Sequence, residues 1–317
     1  MVVSPPSWRS TAPPLMIHCG ALFALLKILI SSQGLLTWMS AGSFGVPGSR
    51  CRCSSNFILS GHYTWILIRG LSTEEAESLL KRSVRIATEA RDKFWASLKR
   101  KPAEHNYNRA LVAASIGSYG AYLADGSEYS GNYGLTVTLE KLKDFHRRRL
   151  QVLVEARPDL LAFETIPNKL EAQVYIVYRL VELLDEENVE IPSWICFSSV
   201  DGKNAPSGER FEECLDIINK SSKVFAVGIN CAPPHFVLSL IQRFKELTAK
   251  AIVVYPNSGE TWDGIAKRWL PSKCFDDEKF ELFATKWRDA GAKLIGGCCR
   301  TTPSTIRSIS KILKERS

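Results

Sequence analysis

The sequence predicts an α/β protein, a (β/α)8 barrel of the TIM type whose first two strands are absent or replaced. Three observations carry that expectation. From Arg109 onward, short and nearly continuous apolar runs alternate six times with amphipathic stretches, as parallel strands covered by helices do. An amphipathic helix precedes the first run. No Gly-x-Gly-x-x-Gly turn follows any run, which argues against a doubly wound open sheet, the second choice. Six units after a leading helix fall two strands short of a complete barrel.

The elements follow in order. Ser72 and Glu75 have capping-box spacing, and Ala76, Leu79, Leu80, Val84, Ala87 and Ala90 give the leading helix an apolar face to about Trp95. Residues 109–117 form the first strand, followed by a loop rich in Gly and Tyr and a helix over 139–155. Residues 159–165 and 193–199 form the next two strands, with helices starting near Asn168 and Ser207. After the strand at 224–231 a helix starts near Pro233, a residue tolerated in a first turn. Residues 251–256 lead through a polar loop to a helix over 277–290, and 292–299 lead to a last helix from Thr302-Pro303.

Residues 1–72 have a different texture, and the barrel domain is expected over 73–317. The first 73 residues hold five of the 41 basic residues and none of the 33 acidic ones, so the formal charge of +8 falls to +3 over the rest. Without a nucleic-acid-binding motif, that balance excludes DNA or RNA as the expected partner. The apolar stretch 15–39 is interrupted by Lys27 and contains no uninterrupted run long enough to cross a bilayer. The segment reads as a non-homologous leader, with an organellar transit peptide within 1–50 as the main alternative and a signal peptide as a weaker one. The expected location is cytoplasmic, or plastid if that alternative holds. The oligomeric state has no signature here.

Nine cysteines in a chain of 317 residues are unevenly spaced, which fits a reduced compartment better than a disulfide framework. Cys214 and Cys274 stand in polar surroundings, while Cys196, Cys231, Cys298 and Cys299 end or interrupt apolar runs. Counting back from the last strand as eighth, Glu164, Cys231 and the Cys298-Cys299 pair end strands four, six and eight. Alternate strands feed one side-chain layer of a barrel, and the active site gathers at strand ends. Three thiolates converging there make a catalytic zinc site with one position open. Both adjacent cysteines can ligate only if the chain leaves strand geometry, a freedom that Gly296-Gly297 provides. Cys231 alone would read as an ordinary buried cysteine; the pair after Gly-Gly tips the balance toward metal. A Cys298–Cys299 disulfide is a third arrangement.

Gly228-Ile-Asn-Cys231 together with Gly296-Gly-Cys-Cys-Arg300-Thr-Thr-Pro303 resembles the zinc motif of the homocysteine S-methyltransferase family. The likeness runs from about Gly70 to the C-terminus. The loop Ser118-Tyr-Gly-Ala-Tyr-Leu-Ala-Asp-Gly-Ser-Glu-Tyr-Ser-Gly-Asn-Tyr-Gly134 is similar to the plant-type branch that uses S-methylmethionine or S-adenosylmethionine. The resemblance implies that Zn2+ on Cys231, Cys298 and Cys299 binds the homocysteine thiol as thiolate, which takes a methyl group from a sulfonium donor to give methionine. It implies that Glu164 holds the homocysteine amino group; the alternative role for that carboxylate is to close its strand and cap the following loop.

Tyr119, Tyr122, Asp125, Glu128 and Trp262 are candidates for the donor site, since aromatic faces and carboxylates attract a sulfonium. Tyr119, Tyr122 and Tyr133 are equally suited to packing the loop. His235, four residues after Cys231, is expected to point outward from its helix. The family's first strand ends in an Asp-Gly-Gly motif that helps bind homocysteine, and residues 1–72 contain none. A zinc-binding isoform with impaired catalysis is therefore the alternative function. A barrel hydrolase or lyase acting through zinc-bound water would need an acid/base partner, and the motifs offer no His for it.

Overall fold

The computed structural model describes residues 29–31, 72–99, 109–123, 125–176, 191–263, 268–270 and 275–315. In chain order the elements are β1 (Leu29–Ser31), α1 (Thr73–Lys99), β2 (Ala113–Gly117), the short helices α2 (Tyr119–Leu123) and α3 (Ser127–Ser130), and α4 (Leu139–Glu155). There follow β3 (Leu160–Ile166), α5 (Lys169–Ile176), β4 (Ser193–Phe197), α6 (Phe211–Ile218), β5 (Val224–Asn230) and α7 (Pro234–Leu247). The chain continues with β6 (Ala251–Tyr255), the hairpin β7 (Thr261–Asp263) and β8 (Arg268–Leu270), α8 (Asp277–Ala290), β9 (Ala292–Gly296) and α9 (Pro303–Glu315).

Local chemistry accounts for most boundaries. The capping box closes as expected: the Ser72 N–H donates to Glu75 Oε2 at 2.7 Å and the Glu75 N–H to Ser72 Oγ at 3.2 Å. Thr138 accepts from the Lys141 N–H at the start of α4, and Asp276 does the same for Lys279 at α8. Gly291 ends α8 in the left-handed conformation at φ 117°, which a residue with a Cβ rarely adopts.

The main sheet has the order β1-β9-β6-β5-β4-β3-β2. Its six strands β2, β3, β4, β5, β6 and β9 are mutually parallel, and β1 joins antiparallel, pairing Leu29 with Gly296. Each β-α unit therefore moves one place along the sheet in the same direction. A doubly wound sheet reverses its order at a switch point, and this one does not. Nor is the sheet closed among the described residues: what stands is an open arc of the six parallel strands that the sequence predicts, without barrel closure. Of the apolar front stretch 15–39, residues 29–31 form β1, which runs antiparallel to the six parallel strands, and the rest lies outside the described residues.

Period-2 alternation sorts the strands onto two faces. Leu161, Phe163, Ile195, Phe197, Val227, Ile229, Ile252 and Val254 join residues of the helices in one buried cluster, so the helices cover that face. Ala162, Trp194, Cys196, Ala226, Val253, Tyr255 and Leu294 form a second cluster on the other face, with Cys298 packed against it. Trp194 Nε1 donates to Tyr255 Oη there at 3.0 Å, which gives two large side chains a shared polar contact in an apolar layer. The β7–β8 hairpin has no apolar alternation and escaped the sequence reading. Cys214 corrects it: the thiol lies buried on the inner side of α6, and burial pushes it up to about 12. Cys274 lies outside the described residues.

Candidate functional site

The expected residues gather where the parallel strands end. β5 stops at Asn230, and Cys231 turns out of it at φ 50°, a left-handed conformation unusual for a residue with a Cβ. β9 stops at Gly296, so Cys298 and Cys299 both lie beyond strand geometry, as joint ligation requires. Gly297 keeps φ in the ordinary range but leaves no room for a side chain, since a Cβ there would sit 2.3 Å from Thr301 Oγ1. Close packing, rather than backbone freedom, is what fixes glycine at 297.

The end of β6 latches the two cysteine segments together. The Cys231 N–H donates to Tyr255 O at 3.2 Å, Cys298 N–H to Pro256 O at 2.7 Å, and Ser258 N–H to Cys299 O at 3.1 Å. The Asn257 N–H reaches Ala232 O at 3.1 Å. Thr301 closes the turn, donating from Oγ1 to Cys298 O at 2.7 Å, and Arg300 holds Glu260 through two contacts of 2.6 and 3.0 Å.

All three sulfurs lie within 4.8 Å of one another. Cys231 and Cys298 are paired as a disulfide, not the adjacent pair considered from sequence. Cys299 Sγ stands 3.6 Å from Cys231 Sγ and 3.9 Å from Cys298 Sγ. Tetrahedral zinc with Zn–S of about 2.3 Å spaces its sulfurs about 3.8 Å apart. The two Cys299 separations already match that spacing, and reduction would free the third edge to open to it. The donor set fits zinc.

Glu164 follows Phe163 in β3, on the face opposite the helices, and is 1% exposed. Ser115 Oγ of β2 donates to its Oε1. Next to it Thr165 takes φ 58°, and the β3–β4 register shifts between Phe163 and Ile166. A β-branched residue in that region is strained. Asn230, fully buried, holds it: the Thr165 N–H donates to Asn230 Oδ1 at 2.7 Å, and Asn230 Nδ2 donates to Thr165 Oγ1 at 2.8 Å. The same Nδ2 approaches Cys298 Sγ at 4.0 Å. One amide thus ties the carboxylate segment to the cysteine cluster. Sequence reading quoted Asn230 in its motif and gave it no role; its polar side chain, ending a strand beside a Cys, was the available signal.

The loop after β2 is assembled around Tyr119. Its ring centroid lies 5.7 Å from Tyr122, 5.3 Å from Tyr133 and 5.0 Å from Phe145 of α4. Beneath them, buried Glu171 accepts from the Tyr119 N–H at 2.6 Å, from Tyr133 Oη, and contacts His146 Nε2 at 2.8 Å. Burial first, then the Arg149 guanidinium, lowers His146 to about 4 against the opposing pull of Glu171, so the imidazole is neutral at pH 7. Asp125 is exposed, accepting from the Ser127 N–H at 2.9 Å. Glu128 is buried in α3, and its carboxyl is pushed up to about 7, mainly by burial. Its neighbour Tyr129, unnoticed in the sequence, lies within electrostatic reach of both Glu128 and Cys299. Trp262 sits on β7, its backbone paired with Trp269 of β8. His235 is exposed beside Phe236, away from the cysteines' hydrogen-bonded contacts.

A family model described as homocysteine S-methyltransferase matches residues 57–313. Homocysteine S-methyltransferase 1 of Brassica oleracea var. italica is 72% identical over 250 residues, covering 79% of this chain and 75% of that protein. The protein of the same name from Arabidopsis thaliana has the same identity and coverage. Among solved structures, the metallated form of the homocysteine methyltransferase MmuM from Escherichia coli superposes with a TM-score of 0.64 at 35% identity, covering 81% of this chain and 75% of that one. The oxidized form of the same protein superposes with the same TM-score.

Proposed function

The chain belongs to the homocysteine S-methyltransferase family and is a methyltransferase acting on homocysteine; from that premise we propose that its methyl donor is a sulfonium and its metal is zinc, held by Cys231, Cys298 and Cys299. The observation that carries the proposal is the meeting of three sulfurs within 4.8 Å from two segments 67 residues apart. Bound there, zinc supplies the Lewis acidity that keeps a thiol ionised at neutral pH.

The protein's own groups do the rest. Glu164, oriented by Ser115, receives the homocysteine ammonium. Asn230 sets the distance between that carboxylate and Cys298 through its contacts to Thr165. The loop from Tyr119 to Tyr133 receives S-methylmethionine or S-adenosylmethionine from the β2 side, and Trp262 is a further aromatic candidate for the donor. Residues 73–317 form the substrate-binding domain, and the six parallel strands are the arc of a (β/α)8 barrel in which β1 stands at one missing position.

The test is to reduce the purified chain, load and count zinc, and follow methionine formation from homocysteine with each sulfonium. One equivalent of zinc and donor-dependent methionine support the proposal; a folded, reduced protein that takes up no zinc sinks it. A second reading is an impaired zinc-binding isoform. The absence of any acidic residue in 1–73, where the family's first-strand Asp would fall, favours it, and zinc uptake without turnover would establish it.

A further inference from the structure

Among the described residues, Glu128 is a buried carboxyl near the mouth with one oxygen left without a partner. It is 6% exposed, and its Oε2 has no hydrogen-bond partner among the described residues. Its carboxylate interacts with the backbone amides of Gly126 and its own residue, while the charged neighbour that bears on it, Asp125, is of like sign. Burying a carboxyl whose Oε2 lacks a partner costs free energy, and burial lifts this one to about 7, so a cation brought beside it would favour its ionised form.

Its placement is firm. Gly120, just beyond β2, lies so near that a Cβ there would fall 2.5 Å from the Glu128 N. Ser198, just beyond β4, donates from Oγ to Glu128 O at 3.3 Å. Asn168 Nδ2, past the end of β3, holds Gly131 O at 3.0 Å on the far side of α3. The short helix therefore lies across the ends of three adjacent strands, and its Tyr129 lies within electrostatic reach of Cys299.

We propose that Glu128 is the residue that recognises the positive sulfur of the methyl donor, with Tyr129 lining the space between it and the metal-binding thiols. The proposal rests on the sulfonium reading above and names the group that selects for it. In the transfer, the homocysteine thiolate's electron pair forms the new C–S bond, and the donor's C–S bond breaks with its pair returning to the sulfonium sulfur. That sulfur becomes a neutral thioether. Glu128 thus attracts the donor and loses its hold on the demethylated product, which favours exchange of one for the other.

S-methylmethionine and methionine differ by that charge and one methyl group, which makes them the probes. Calorimetric titration of the reduced, zinc-loaded full chain is expected to show S-methylmethionine binding at least tenfold more tightly than methionine. Glu128→Gln removes the charge at nearly constant shape and should erase most of that preference, a loss of about 10- to 100-fold for a contact to a charged group. Affinity for methionine and homocysteine should hold, and the melting temperature should stay or rise. Glu128→Asp, which keeps the charge but withdraws it, should retain part of the preference. If Glu128→Gln still prefers the sulfonium, or weakens both probes equally, the proposal falls while the sulfonium reading stands. A wild-type chain that binds homocysteine but no sulfonium overturns both.

Discussion

The two sides of the mouth are built on different plans. The side proposed to receive homocysteine, with Cys231, Cys298, Cys299, Glu164 and Asn230, stands on strand ends whose backbone groups are tied to one another across β3, β5, β6 and β9. The side proposed to receive the donor is a loop of two short helices, held from below by Glu171 and by aromatic packing, with one carboxylate oxygen left unsatisfied. The first arrangement suits a metal, which demands fixed ligand positions. The second suits a ligand that arrives with its own charge and leaves without it. Preorganisation and vacancy are thus divided between scaffold and loop.

The comparison can be broken most severely on the acceptor side. Cys298→Ser should abolish stoichiometric zinc binding and cut methionine formation by more than the roughly 10–100-fold typical of a lost outer-shell partner; metal analysis beside turnover checks this. Glu164→Gln should raise the homocysteine KM by about 10–100-fold, the worth of a charge-assisted contact, and leave the donor KM unchanged. An equal rise in both would erase the distinction between the two sides.

Asn230→Ala removes the partner of the Thr165 N–H and leaves it buried, at a cost of about 1–3 kcal/mol. Denaturant unfolding should register that loss, and a zinc competition titration should show weaker metal binding as well. Were stability to fall without any change in metal affinity, Asn230 would be a brace for β3 alone.

The smallest effect on turnover is expected from the donor side's foundation. His146 is lowered to about 4 in the folded protein from an ordinary value of 6.5. The unfolded chain therefore binds the extra proton first, and stability present above pH 6.5 is lost as the pH falls toward 4. By pH 5 the loss should be about 2 kcal/mol, read from unfolding curves, and replacing His146 with Asn should flatten the dependence. The charged groups facing the ring are Glu171 and Arg149. Proteolysis of the 118–134 loop should rise over the same pH range, while the cysteine turns stay protected.

Legibility from sequence followed the same divide. The alternation of apolar and amphipathic runs placed α4 and α8, and the capping box placed the start of α1, because those signals are local. The meeting of Cys231, Cys298 and Cys299 was legible because an adjacent pair after Gly-Gly and a third Cys ending another strand form an uncommon pattern. Asn230 and Tyr129 were not: a polar residue ending a strand beside a Cys marks Asn230 as a residue of interest, but only the fold shows that it braces Thr165, 65 positions away. Nor could the pattern tell Glu128 from Asp125: both stand in one polar loop, and only folding buries the one and exposes the other. The direction of β1 was equally hidden, because an apolar run carries no arrow.

That arrow has a consequence. Every parallel strand here delivers its carboxyl end to the working rim, and with it the residue that follows. β1 runs the other way, so it is Leu29, its first residue, that stands opposite Gly296. Reversing one short strand thus turns its amino end rather than its carboxyl end toward the rim, and none of its residues, Leu29, Ile30 and Ser31, carries a carboxylate.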